Sequence, residues 1–193
     1  QTIIDKYNFD PANIDTVFNK SRKDILVAVS NKLQKLSPKD NLVLFYGGHG
    51  YFVESANMAY WVPLNAETEF EYISNTDINN LLSGCEARHI LVMADACFSG
   101  AMRGGESVPA KYEYKTKSRQ LLTSGGTEPV PGVSVYVKTL LEQLDMNEDK
   151  YISARDLQTR IYPGIKNAGK TECTLTPLQV SGSQGGQFYF KKK

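Results

Sequence analysis

The stretch His89-Ile-Leu-Val-Met-Ala-Asp-Ala-Cys97 decides the fold of this 193-residue chain. Its apolar run has the length and continuity of a strand that is buried on both faces, as in a parallel sheet. A second run of this kind, Leu42-Val-Leu-Phe-Tyr46, leads into Gly47-Gly-His-Gly50. Each strand is therefore predicted to end in a tight turn that carries a reactive side chain, a thiol in one case and an imidazole in the other.

The segments around these two strands alternate between helical and strand-like patterns. Helices are predicted over residues 21–36, 76–82, 133–144 and 153–161, and further strands over residues 59–62, 118–124 and 185–190. Ser21 is the expected N-cap of the first helix, and Thr76 or Asn75 that of the second, which Gly84 ends. The alternation predicts an α/β domain with a mainly parallel sheet.

The composition is that of an ordinary globular domain, with 41% hydrophobic and 22% charged residues. The net charge of +1 provides no basic field for nucleic acid or an anionic membrane. The longest apolar runs have about five residues, whereas a membrane helix needs about 20. Three cysteines argue against a disulfide framework and favour the reducing cytoplasm. We expect one domain over residues 1–193, with a surface loop over residues 101–117.

The two reactive side chains are predicted to meet at one edge of the sheet. Ligands of open α/β sheets bind beyond the carboxyl ends of the strands, where His49 and Cys97 both follow a strand. A thiol nucleophile with a histidine base requires this arrangement. The second histidine, His89, begins the strand that precedes Cys97 and is therefore roughly 25 Å from the thiol. His49 is thus the only candidate base.

These motifs, in this order and at this spacing, resemble the active-site motifs of the caspase-like cysteine peptidases. The Asp95-Ala-Cys97 version is more similar to metacaspases, paracaspases and bacterial orthocaspases than to animal caspases. Segments 61–63 and 118–126 also resemble segments of the family. The resemblance implies a three-layer sandwich, with a mainly parallel central sheet flanked by helices, and hydrolysis of peptide bonds in protein or peptide substrates without a required cofactor.

The resemblance also implies a role for individual residues. Cys97 is the nucleophile and His49 the general base, and the N–H groups of Gly50 and Cys97 form the oxyanion hole. Ser124 is expected to contact the substrate. Asp95 lies two positions before the nucleophile and so on the same face of the strand, where its carboxylate favours Arg or Lys before the scissile bond. A carboxylate that caps the turn beside the site is the alternative for Asp95.

One departure concerns the beginning of the chain. The first strand of the family, and an acidic residue near it, would precede Gln1, and Asp5 does not clearly match that residue. We therefore expect an N-terminal fragment or a fused sensor domain as a partner. The basic residues from Arg103 to Lys117 offer a place where a basic-specific protease would process itself, although solvated charge also explains them.

A second motif, residues 145–156, resembles an EF-hand loop. Lys150 replaces the glycine of the sharp turn, and the twelfth position holds an aspartate rather than a glutamate. The alternative is a polar loop in which Ser153 caps the next helix. The candidate Ca²⁺ ligands are Asp145, Asn147, Asp149, the carbonyl of Tyr151, and Asp156.

Three other functions are compatible with parts of the sequence. A catalytically silent caspase-like module would bind a partner protein through the same cleft, although such a module has no chemical need for both His49 and Cys97. A serine hydrolase would use Ser99 or Ser124, but neither lies in a G-x-S-x-G elbow. A zinc site from Cys97, His49 and Cys85 lacks the usual ligand spacing.

Overall fold

The computed structural model describes residues 1–56, 58–96, 114–124, 134–168 and 173–193. Strands and α-helices alternate along these ranges. In chain order the elements are α1 (Thr2–Lys6), α2 (Arg22–Leu33), β1 (Asn41–Gly47), β2 (Gly50–Val53), β3 (Met58–Trp61), β4 (Ile73–Ser74), α3 (Asn75–Ser83), β5 (His89–Asp95), β6 (Ser118–Thr123), α4 (Val135–Met146), β7 (Tyr151–Ser153), α5 (Ala154–Asn167), β8 (Thr174–Pro177) and β9 (Tyr189–Lys191).

The central sheet has the strand order β1-β5-β6-β8. The first three strands are parallel, and β8 runs antiparallel to β6. The predicted α/β fold with a mainly parallel sheet is therefore confirmed. The sequence pattern does not predict β8, because Thr174-Leu-Thr-Pro177 is short and ends in a proline that cannot donate to a ladder.

The two faces of β5 supply two separate hydrophobic cores. Leu91 and Met93 pack with residues of α4 and α5, whereas Ile90, Val92 and Ala94 pack with residues of α2 and α3. This division follows from the period of two along a strand. Helices thus cover both faces of the sheet, and the predicted three-layer arrangement is confirmed.

The two strands that were predicted to be buried on both faces differ in burial. Every residue of β5 is buried, as predicted. In β1 the prediction is wrong, because Phe45 is 46% exposed and only Leu42 is buried. Among the described residues, β1 has a neighbouring strand on one side only and so forms an edge of the sheet.

The helices largely follow the sequence pattern. Ser21 caps α2 as predicted, although the helix ends at Leu33 rather than at residue 36. The predicted cap of α3 is wrong, since Ser74 accepts from the Asp77 amide while the Asp77 carboxylate accepts from the Ser74 amide. The last helix continues beyond residue 161 to Asn167.

Two smaller sheets complete the fold. Strands β2, β3 and β4 form an antiparallel sheet, in which β3 corresponds to the strand predicted at 59–62. The predicted strand near the end of the chain is β9, which pairs with β7 outside the central sheet. No α-helix in the described ranges is both long enough and apolar enough to cross a membrane.

Polar side chains stabilise the edge of the sheet where β5 and β6 begin. Arg119 is 2% exposed and donates to the carbonyl oxygens of Cys85 (3.1 Å), Arg88 (3.1 Å) and Ser118 (2.8 Å). The His89 ring contacts the Ser118 hydroxyl (2.9 Å), and burial lowers the pKa of His89. The bonds to carbonyl oxygens satisfy the two terminal nitrogens of the Arg119 guanidinium, whereas its Nε has no hydrogen-bond partner among the described residues.

Gly186→Ala is expected to destabilise the fold, because a Cβ at residue 186 would lie 2.0 Å from the carbonyl oxygen of Thr116. Backbone atoms cannot yield as a flexible side chain does, so we expect a loss of roughly 1–3 kcal/mol in the free energy of unfolding. Gly84→Ala is the control, since its Cβ would meet nothing closer than 3.9 Å. Urea denaturation measures both, and equal stabilities would contradict the expectation.

Candidate active site

The two predicted motifs begin at adjacent strand ends. Gly47 at the end of β1 pairs with Asp95 at the end of β5, and the Gly48 amide donates to the Asp95 carbonyl at 3.3 Å. His49 follows this pair on one strand. Cys97 is two positions beyond Asp95 on the other and lies outside the described residues, as do Ser99 and residues 101–113.

The backbone at His49 is fixed from two sides. Its carbonyl oxygen accepts from the Tyr46 hydroxyl at 2.8 Å and from the Val62 amide at 3.0 Å. The Trp61 ring stacks on the Tyr46 ring, with centroids 4.3 Å apart and planes 5° from parallel. The His49 side chain is exposed. The main chain of the turn is thus rigidly held while its imidazole faces solvent.

A glycine is required before His49. A Cβ at Gly48 would lie 2.7 Å from the Tyr46 hydroxyl oxygen, so any larger residue would displace the hydroxyl from the His49 carbonyl. Burial raises the pKa of Tyr46 to about 12. Its phenol therefore stays protonated near neutral pH and remains a donor to the turn.

Gly50 lies in the three-stranded sheet β2-β3-β4, which we call the small sheet. Its amide does not donate to the carbonyl groups of the neighbouring strand β3. Gly50 pairs with Trp61, and the Val62 amide donates to the carbonyl of His49, the residue before Gly50. This pattern makes Gly50 and Trp61 a non-hydrogen-bonded antiparallel pair. The Gly50 N–H is therefore directed away from β3, as an oxyanion-hole donor requires.

Asp95 combines burial with an oxygen that has no hydrogen-bond partner. The residue is 7% exposed, and its Oδ1 has no partner among the described residues. Burial, followed by the nearby Cys173 and Asp95, raises the pKa of Tyr136 on α4. The carboxylate therefore lies on the α4 side of the sheet, the side occupied by Leu91 and Met93. A buried carboxylate with a free oxygen is suited to receive a cationic group.

Ser124 follows β6 at the same edge of the sheet. Its amide donates to the Ala94 carbonyl at 3.0 Å, and the residue is 1% exposed. Two strand spacings, roughly 10 Å, separate the ends of β1 and β6. Of the two histidines, His89 is at the opposite edge. These positions give Ser124 no nearby histidine base and argue against its use as a serine nucleophile.

The two described cysteines are both buried. Cys85 lies before β5, at the edge opposite His49, so these two side chains do not form the alternative zinc site. Cys173 immediately precedes β8, whose Thr174 pairs with Thr123 at the end of β6. Burial raises the pKa of the Cys173 thiol to about 12, which keeps it protonated and unreactive.

Basic side chains surround the loop that resembles an EF-hand. Lys6 lies 2.7 Å from Asp145, and Arg160 contacts both Asp149 (2.9 Å) and the Asn147 side chain (3.0 Å). Lys192 donates to the Asn147 carbonyl at 2.8 Å.

The end of this loop has the alternative role that the sequence suggested. Ser153 caps α5, with its hydroxyl 2.6 Å from the Asp156 carboxylate, and Tyr151 opens strand β7. In the described residues no group of three or more His, Cys, Asp or Glu side chains is arranged to hold a metal ion. Calcium binding by this loop stays a prediction.

Sequence reasoning missed the supporting residues of the site. The sequence predicts Tyr46 only as part of an apolar strand and Gly48 only as one glycine of a tight turn. Alternation along β1 places Tyr46 on the same face of the strand as Leu42 and Leu44. This predicts the face of the sheet on which the Tyr46 ring lies but not the acceptor of its hydroxyl. The contact with the His49 carbonyl depends on the later strand that brings Trp61 beneath Tyr46.

Comparisons with known proteins concern the family and the fold of the chain. A family profile described as Caspase domain matches residues 1–176. No curated protein matches the chain significantly. The crystal structure of a protein from Geobacter sulfurreducens is similar in fold, with a TM-score of 0.54 and 14% identity, over 88% of this chain and 73% of that chain. At this identity the likeness concerns the fold alone.

The burial of Tyr46 leads to a prediction about alkaline stability. An unfolded tyrosine loses its proton near pH 10, whereas Tyr46 in the folded chain loses it near pH 12. The folded state is therefore destabilised relative to the unfolded state as the pH rises from 10 to 12. We expect the free energy of unfolding of the wild type to fall by about 2 kcal/mol more than that of Tyr46→Phe over this range. Urea denaturation at both pH values measures the difference, and parallel curves would contradict it.

Proposed function

The chain belongs to the caspase domain family of cysteine peptidases, and we propose that it cleaves peptide bonds after Arg or Lys with Cys97 and His49. The observation that carries the proposal is the pairing of Gly47 with Asp95. This pairing brings the two strand ends that lead to the base and the nucleophile next to each other.

In the proposed reaction the Cys97 thiolate attacks the carbonyl carbon of the scissile bond. The carbonyl electrons move to the oxygen, which accepts from the Gly50 and Cys97 amides. His49 has taken the thiol proton and passes it to the leaving nitrogen, so the C–N bond breaks and a thioester forms. Water, deprotonated by His49, then hydrolyses the thioester and frees the thiol.

The free carboxylate oxygen of Asp95 supports the choice of Arg or Lys. A guanidinium or ammonium group that enters from the cleft would supply the missing partner of Oδ1. An aspartate side chain of a substrate would instead meet a like charge. The second proposed contact is Ser124, which lies next to Ala94 at the end of β6.

The same specificity makes self-processing part of the proposal. The basic residues between Arg103 and Lys117 fit the expected cleavage preference. We take residues 1–193 as one peptidase domain, acting on a protein or peptide substrate in the cytoplasm.

Cleavage of short fluorogenic peptides tests the proposal directly. We expect hydrolysis of substrates that end in Arg or Lys, and a loss of it in Cys97→Ala and His49→Ala. Asp95→Asn should lower kcat/KM for the Arg substrate about 30-fold or more, because the substrate cation loses its charged partner. Glu142→Gln, which alters an exposed acidic residue on α4, is the matched control.

The possible results of this experiment separate the parts of the proposal. Cleavage after Asp instead of Arg would retain the dyad but contradict the role of Asp95. No cleavage with calcium or with a chelator would favour the silent binding module. An effect of the chelator would support calcium binding by residues 145–156.

Alkylation of the native protein gives an independent prediction. Cys85 and Cys173 are only 6% and 2% exposed, and burial raises the pKa of Cys173 to about 12. Iodoacetamide at neutral pH should therefore modify Cys97 first, with parallel loss of activity. Mass spectrometry of peptide digests identifies the modified residue. Faster modification of Cys85 or Cys173 than of Cys97 would contradict the assignment of the nucleophile.

A further inference from the structure

Three tyrosines form an aromatic cluster on the outer face of the small sheet. The ring centroids of Tyr51 and Tyr60 are 6.3 Å apart, those of Tyr51 and Tyr72 5.7 Å, and those of Tyr60 and Tyr72 6.1 Å. Tyr51 is 40% exposed. Glu69 hydrogen-bonds the Tyr51 hydroxyl, and the bond raises the pKa of Tyr51. We call these four residues the tyrosine cluster.

The tyrosine cluster adjoins the proposed base. His49 immediately precedes β2, and its carbonyl accepts from the Val62 amide, so the backbone pairing with the end of β3 extends to His49, two positions before Tyr51. The opposite face of the small sheet, with Trp61 and Ile73, packs into the core formed with α2 and α3. Asp95 is directed to the other side of the central sheet, towards α4. A peptide that passes from Asp95 across His49 would therefore reach the tyrosine cluster.

The segment of sequence that carries the tyrosine cluster is acidic. Between Asp40 and Arg88 the sequence contains no lysine or arginine, and its six acidic residues are Glu54, Glu67, Glu69, Glu71, Asp77 and Glu86. Arg22 pairs with Asp77 at 3.0 Å and also donates to the Tyr72 carbonyl at 2.9 Å, whereas Glu69 is exposed beside the rings. Aromatic faces with a carboxylate at their rim attract cations, and Arg in particular.

We propose that the tyrosine cluster binds a basic side chain of the substrate on the leaving-group side of the scissile bond. His49 must reach the leaving nitrogen to protonate it, so the chain beyond that nitrogen continues past His49. Asp95 then selects the residue before the cleaved bond, and the tyrosine cluster selects one after it. This inference rests on the proposed function, and it predicts substrates with basic residues on both sides of the cut.

The test uses internally quenched peptides with Arg before the cleaved bond and Lys-Lys, Ala-Ala or Glu-Glu after it. We expect the order of kcat/KM to be Lys-Lys, Ala-Ala, Glu-Glu. Tyr51→Ala should reduce the ratio between the first two about threefold to tenfold, whereas Tyr51→Phe, which keeps the ring, should retain it. The control is Leu141→Ala, which truncates a side chain of similar exposure (42%) on α4.

A binding measurement separates this inference from the peptidase activity. Cys97→Ala should bind the Lys-Lys peptide more tightly than the Glu-Glu peptide, as measured by calorimetry, and adding Tyr51→Ala should weaken the Lys-Lys complex about threefold to tenfold. Equal affinities for both peptides, or no effect of Tyr51→Ala, would overturn the inference while cleavage after Arg by the wild type still stands. Absence of cleavage by the wild type would instead overturn the proposed function, and the affinities would still decide the role of the tyrosine cluster.

Discussion

Parallel pairing of β1 with β5 is the constraint on which the site depends. The ladder fixes Gly47 opposite Asp95, and a slip by one residue would turn every side chain of β5 to the other face. Such a slip would expose Leu91 and Met93 to the wrong core and move Asp95 away from α4. The two hydrophobic cores therefore specify the register, and the register in turn specifies which groups meet at the carboxyl edge.

The turn at His49 shows how this edge combines rigidity with access. Tyr46 and Val62 hold the backbone carbonyl, and the stacked Trp61 ring orients the phenol that provides one of these bonds. Only a glycine fits at Gly48. The backbone of His49 is therefore held in place while its side chain is exposed to solvent. Packing beneath the turn thus contributes to the geometry of the proposed chemistry.

The sequence predicted the fold well where a local pattern carries the information. The continuous apolar run of β5 is a local property, and the prediction that it forms a strand buried on both faces agrees with the structure. The edge position of β1 was not predictable, because its run resembles that of β5 and only distant pairings decide which strand is central. Arg119 and the bond from Tyr46 to His49 were missed for the same reason. A basic residue in a strand is usually exposed to solvent, yet Arg119 is buried and donates to carbonyl groups of the turn before β5.

The Asp95 carboxylate lies on the α4 side of the central sheet, whereas the sheet β2-β3-β4 packs its inner face against the core of α2 and α3 and carries the tyrosine cluster on its outer face. A substrate that contacts Asp95, His49 and the tyrosine cluster must cross the carboxyl edge of the central sheet in an extended conformation. Several consecutive residues of the substrate must then lie outside its own folded structure. Helices and sheet interiors of a native protein do not present such a segment. The proposed peptidase would therefore cleave linkers, tails and unfolded polypeptides. The folded state of the substrate, as well as its basic residues, would decide where the substrate is cut.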